Sequence, residues 1–160
     1  MKSLTVSDHL WNMGLAVEMA EMAFKHEEVP VGAVLISPDG EVLSKQYNLK
    51  ETLFNPVAHA EVLTLIEGGK KLNNWRLSDC TLYVTLEPCP MCLSAMVQAR
   101  LGLCVFGAYD PKGGALSLGY HTHQDKRLNH QFKIMGGIRH FETSRLLSTF
   151  FKQRRSAYRP

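Results

Sequence analysis

The apolar positions of this chain change period several times, and each change marks an element. From Ser7 to about Glu27, Leu10, Gly14, Val17 and Phe24 recur at helical spacing, with Ser7 placed as a cap, and Pro30 then marks an extended segment. Val31 to Ile36 and Glu41 to Tyr47 read as two strands joined at Ser37-Pro38-Asp39-Gly40, whose Asp-Gly pair is a strong turn signal. Pro56 introduces a second helix over roughly Val57 to Gly68, stopped by Gly68-Gly69. Thr81 to Leu86 is a buried strand, Pro90 to Arg100 a third helix and Leu103 to Ala108 another strand. Gln131 to Met135 is a weaker strand, and Arg139 to about Arg155 a closing helix. A helix, a hairpin, then strands and helices in alternation predict a mixed sheet covered on both faces by helices.

Composition narrows this picture. At 160 residues and 45% hydrophobic, the chain suits one domain over positions 1–160 with one sizeable core. No apolar run reaches membrane-spanning length, and Met1-Lys2-Ser3-Leu4 lacks the apolar segment of a signal peptide, so a soluble, cytoplasmic protein with no membrane partner is expected. The net charge of +3 is carried by the end of the chain. Lys152, Arg154, Arg155 and Arg159 lie in its last nine residues with no acid among them, and without them the excess of 18 bases over 15 acids disappears. A solvated helix end and a nucleic-acid contact both fit such a cluster.

Two short strings carry the chemistry. His59-Ala60-Glu61 and Pro88-Cys89-Pro90-Met91-Cys92 offer one imidazole and two thiolates to a metal, with a carboxylate beside them. Zinc suits this donor set. Three protein ligands leave a tetrahedral position open, as catalytic sites do, whereas structural zinc is normally closed by four. Glu61, two residues beyond His59, is then free to act as general acid and base. Taken singly, each residue could be ordinary packing; the joint pattern argues against that. Cys80 and Cys104 have no partner at ligand spacing, so packing is expected for both. Both metal motifs fall at helix starts, where unpaired N–H groups favour thiolate over thiol.

With these motifs in view, the chain resembles the cytidine deaminase-like zinc enzymes. Val29-Pro30-Val31-Gly32-Ala33-Val34, Trp75-Arg76-Leu77, Thr81 to Glu87, Val105-Phe106-Gly107-Ala108 with Asp110 and Lys112, Leu128-Asn129-His130, and Phe150-Phe151 with Arg154-Arg155 are similar to the bacterial tRNA adenosine deaminases over almost the whole chain. The resemblance implies a three-layer α/β/α fold with a five-stranded mixed sheet, one zinc ion per chain and a homodimer. It also implies conversion of the wobble adenosine to inosine in the anticodon stem-loop of a tRNA, an arginine tRNA. It assigns His59, Cys89 and Cys92 as zinc ligands and Glu61 as the catalytic proton shuttle. Asn48 then hydrogen-bonds the target nucleoside, Val31 forms the pocket wall, and Ala60 supplies a backbone donor to the base.

Departures from the family pattern fall away from the motifs. Ser94 stands where glycine is common, and the stretch from Gly113 to Gln124 differs from the usual loop, which bears on tRNA choice rather than chemistry. No nucleotide cofactor is expected, since Gly113-Gly114 lacks the surroundings of a phosphate loop. A deaminase of a free base or nucleotide, such as guanine or deoxycytidylate, would share the zinc motif, and the basic end argues against it. An RNA-binding zinc module without catalysis would not need Glu61. A structural zinc protein would need a fourth ligand from His121, His123 or His130, which read instead as surface histidines on a polar loop.

Three further positions are expected to meet RNA. Asp110 follows a strand end and either accepts a ribose 2′-OH or serves only as the turn residue before Pro111. In the closing helix Phe150 and Phe151 point about 100° apart, so Phe150 is expected in the core and Phe151 at its edge, offering a base-stacking face beside Arg155.

Overall fold

The structure, a computed structural model, describes residues 4–158; the expected tail base Arg159 lies outside them. Helix α1 (Val6–Lys25) is capped by Thr5 rather than Ser7. Asp8 N donates to Thr5 Oγ1 and Thr5 N donates to Asp8 Oδ2, a reciprocal box that Ser7, already inside the first turn, cannot make. Its buried stripe also differs from the expected one. Val17 is buried as expected, but Met13, Ala16, Ala20 and Ala23 face the core with His9 and Asn12, while Leu10 is exposed. Small alanines let the helix lie close to the sheet: a Cβ on Gly32 would run into the α1 backbone at Ala16 and Ala20.

Strands β1 (Gly32–Ile36) and β2 (Val42–Tyr47) form the expected hairpin, with Gly40 at φ +89° in its turn and a register shift between Leu35 and Ile36. Helix α2 (Ala60–Leu72) begins at His59 and runs past Gly68-Gly69 to an Asn73 cap in the left-handed region. Gly68 is a packing residue here, not a stop: a Cβ on it would collide with Leu35. Strand β3 (Thr81–Leu86), helix α3 (Pro90–Gln98) and strand β4 (Leu103–Ala108) follow the expected pattern closely. Strand β5 is shorter, Lys133–Met135, because Phe132 N bonds instead to the carbonyl of His123. Helix α4 spans His140–Ala157.

The sheet order is β2-β1-β3-β4-β5, antiparallel on either side of β1 and parallel from β3 to β5. One face packs Val34, Ile36, Tyr83 and Val105 under α1; the other packs Ala33, Leu35, Leu82, Val84 and Phe106 under α2 and α3. Helix α4 joins the α1 side. Thr143 rests against Gly107, and the Phe150 ring meets Phe24 edge to face at 5.5 Å. This is the expected three-layer α/β/α arrangement with a five-stranded mixed sheet. Cys80 and Cys104 are both buried, as their packing role requires. Among the described residues, no helix is long and apolar enough to cross a membrane.

Candidate active site

Parallel strands β3 and β4 end on the same side of the sheet, and the polypeptide leaving β3 enters α3 within four residues. Cys89 is the N-cap of α3, Pro90 occupies its first turn, and Cys92 lies one turn in. His59 is likewise the N-cap of α2. Neither His59 nor Cys89 uses its side chain to cap its helix. A Ser or Asp there would stabilise by about 1 kcal/mol, so both positions give up local stability and keep their donor atoms available.

Those atoms converge. His59 Nδ1 lies 3.6 Å from Cys89 Sγ and 3.5 Å from Cys92 Sγ, and the three ligand atoms, all within 4.8 Å of one another, could hold a metal ion. The hydrogen bond from Cys92, with help from His59, holds the Cys89 thiol down at about 4. The same bond and burial push Cys92 up, and His59 is raised chiefly by its bond to Cys89. Glu61 is 4% exposed, in the first turn of α2. Burial pushes its carboxyl up to about 7, and the nearby charge of Cys89 acts in the same direction. A carboxyl poised near neutrality can both take and return a proton.

Beside this group the structure brings Val31, Asn48 and Ala60 into one hydrogen-bonded unit. Asn48 N donates to the Val31 carbonyl at 3.1 Å, and Ala60 N donates to Asn48 Oδ1 at 2.9 Å. The Ala60 N–H is therefore satisfied within the protein and is not the free donor to a base that the sequence suggested. The Asn48 amide is instead oriented with its NH₂ left to donate.

Asp110, Phe151 and Arg155 also come together. With Lys112, Leu147 and Ser148 they line a groove of about 670 Å³ between the ends of β3 and β4 and helix α4. Phe150 is 4% exposed and Phe151 42%, which divides the two rings as expected. Asp110 Oδ1 accepts from Lys112 N and Gly113 N, so the carboxylate does shape its own turn. Oδ2 accepts no hydrogen bond among the described residues. Arg154, by contrast, is exposed but lies back against the protein: its Nη2 donates to the Glu27 carbonyl at 2.6 Å and its guanidinium lies over Phe150.

The histidine expectation needs correcting at one position. His121 is exposed and His130 half-buried, its Nε2 bonded to the Leu101 carbonyl, but His123 is only 3% exposed and packs against Phe132. Its neighbours are polar in sequence, and only docking of the Thr122–Gln124 turn on α3 buries it. Two buried acids carry no motif that singles them out along the chain. Glu28 accepts from Thr52 N in the loop between β2 and α2, and Glu87 accepts from the loop after β4. For the second, an acid directly before Pro88-Cys89, at the end of an apolar strand, is the available signal.

The fold and the converging His and Cys side chains define a deaminase of the cytidine deaminase-like class. The MafB19-like deaminase family matches residues 7–155. Within that class the chain belongs to the tRNA-specific adenosine deaminases. It is 45% identical to the tRNA-specific adenosine deaminase of Bacillus subtilis over 88% of this chain and 86% of that protein. With the Haemophilus influenzae tRNA-specific adenosine deaminase the identity is 42%, over 89% of this chain and 83% of the relative. A structure solved in work on A-to-I editing by tRNA:A34 deaminases superposes with a TM-score of 0.81 at 36% identity, covering 86% of this chain and 99% of that one.

Proposed function

We propose that this deaminase binds one zinc ion through His59, Cys89 and Cys92 and converts the wobble adenosine of a tRNA anticodon stem-loop to inosine, an arginine tRNA being the substrate that its sequence resemblance implies. The observation that carries the reading is a buried Glu61 set beside a three-donor metal group in a member of this family. Zinc–sulfur bonds of about 2.3 Å and zinc–nitrogen bonds of about 2.0–2.1 Å at tetrahedral angles separate N and S by about 3.5 Å, and the observed 3.5 and 3.6 Å fit that spacing. Zinc bound there supplies the acidity that makes water a nucleophile at neutral pH.

The chain's own groups do the rest. Glu61 takes a proton from the attacking water and delivers it to N1 of adenine as oxygen adds at C6, then takes the second proton from the hydroxyl so formed and passes it to the departing amino group as C6=O forms and the C–N bond breaks; water and adenosine become inosine and ammonia. Asn48 orients the base through its side-chain NH₂, with Val31 as the wall. Outside the pocket, Phe151 offers a stacking face to an unpaired anticodon base, Arg155 meets a phosphate, and Asp110 Oδ2 accepts from a ribose 2′-OH.

The whole chain acts as one domain in the cytoplasm, where thiol ligands stay reduced. It forms a homodimer through the α2–α3 face, where Val62, Ile66, Trp75, Ala95 and Ala99 line an apolar groove of about 850 Å³. Sedimentation of wild type and Ile66→Asp tests this, a dimer and a monomer being expected respectively. For the activity, purified protein is incubated separately with total tRNA, free adenosine and free guanine, followed by nucleoside analysis. Inosine in tRNA alone is expected; xanthine from guanine would point instead to a free-base deaminase.

A further inference from the structure

Glu87 stands two residues before Cys89, is 2% exposed, and has its carboxylate turned into the loop that follows β4. Both oxygens are engaged: Oε2 accepts Asp110 N at 2.8 Å and the Ser117 hydroxyl at 2.7 Å, and Oε1 accepts Ser117 N at 2.7 Å. The neighbouring backbone adds to the same junction, with Glu87 N donating to Ala108 O and Ala115 N donating to Pro88 O. The loop lies so close that a Cβ on Gly114 would sit 2.5 Å from each carboxylate oxygen and would displace the carboxylate from its present place. Burying a carboxylate is costly unless its lone pairs are satisfied, and here every donor comes from one loop. The packing of that loop is therefore dictated by a side chain from the strand end that supplies a metal ligand.

From this we infer that Glu87 is a positioning residue that fixes Asp110, and with it the RNA-facing side of the groove, relative to the Cys89 end of the catalytic site. The inference rests on the proposed contact of Asp110 with RNA. Asp110 N is bonded directly to Glu87, so loss of that acceptor frees the loop at the residue whose Oδ2 the proposed function sets against RNA. Glutamine in place of Glu87 keeps the volume but sets an NH₂ against at least one of the loop donors.

The test compares the metal-loaded wild type with Glu87→Gln, Asp110→Ala and the double variant on an anticodon hairpin, with metal content and Tm measured for each. Glu87→Gln is expected to raise KM about tenfold, a typical loss for a buried acceptor, with a much smaller change in kcat. In the Asp110→Ala background it should raise KM little further, because the group it positions is gone. Amide exchange at Asp110 should quicken in Glu87→Gln. Ser117→Ala, which removes one donor and leaves the backbone bonds, should give the same KM shift on a smaller scale and serves if Glu87→Gln folds poorly. Additive KM effects in the double variant, or unchanged exchange at Asp110, overturn the positioning role alone. An unchanged KM in Asp110→Ala overturns the Asp110 reading and this inference with it.

Discussion

At the scale of single residues, the proposed function separates holding a metal from moving a proton. His59 and Cys89 are N-caps that do not cap, whereas Glu61 projects from the first turn of α2 into a buried setting. Glu61→Gln should therefore retain about one zinc per chain and an unaltered thermal transition while turnover falls at least ~10²-fold, the lower range for a positioned acid–base group. Cys89→Ala should lose metal as well as turnover, and metal analysis beside ammonia release separates the two outcomes. His123 makes a different point. Burial, aided by neighbouring His121, lowers its pKa below the ordinary 6.5, so the folded chain holds fewer protons there than the unfolded one. Its contribution to stability is fully present above that value and is lost as pH falls toward the folded pKa. Tm between pH 7.5 and 5.5 should thus decline less steeply in His123→Leu, which replaces an imidazole whose buried Nδ1 has no hydrogen-bond partner among the described residues. An equal slope in the two proteins would assign the acid sensitivity to other groups.

Helix α4 presents one row to the rest of the fold and another to the groove that the proposed function assigns to RNA. Phe150 meets Phe24 of α1, with Arg154 laid over it and bonded to the Glu27 carbonyl, so this row fastens α4 to α1. Phe151 and Arg155, on the next row, face the groove that Asp110 also lines. Phe150→Ala should cost about 3–5 kcal/mol of stability, typical for a buried ring. Phe151→Ala should leave Tm nearly unchanged and weaken anticodon-hairpin binding by ~1–3 kcal/mol, the range for one stacked base. Thermal melts and hairpin titrations of both variants check the division, which fails if Phe151→Ala is the more destabilising change. The same two rows were readable from helical geometry, because adjacent residues on a helix cannot face the same way. The contact of Arg154 with the Glu27 carbonyl was not, since that partner lies on a segment far away in sequence.

For the whole molecule, the proposed function divides the charge excess at the chain end between RNA contact and the fastening of α4, which composition merges. Lys152→Ala and Arg155→Ala should each reduce the salt dependence of hairpin binding by about 0.7 for a single-strand phosphate that is no longer neutralised. Arg154→Ala should instead lower Tm and leave the slope alone; a slope change in that variant would place it against RNA. The amino-acid order by itself determined the elements, the candidate metal-holding triad and the neighbouring acid. Periodicity is set by local geometry, and chemistry-bearing residues at fixed spacing on helix starts point the same way whatever surrounds them. The limits of the elements shifted wherever a long-range contact overrode a local signal: Gly68 continues α2 because Leu35 needs the space, and Ser7 yields to a Thr5–Asp8 box. Only the tertiary structure satisfied Ala60 N with Asn48, buried His123, and turned Glu87 toward Asp110 and Ser117. Each of these is a hydrogen bond or a burial between segments distant in sequence, and no pattern along a chain encodes which polar groups its folding will bring within bonding distance.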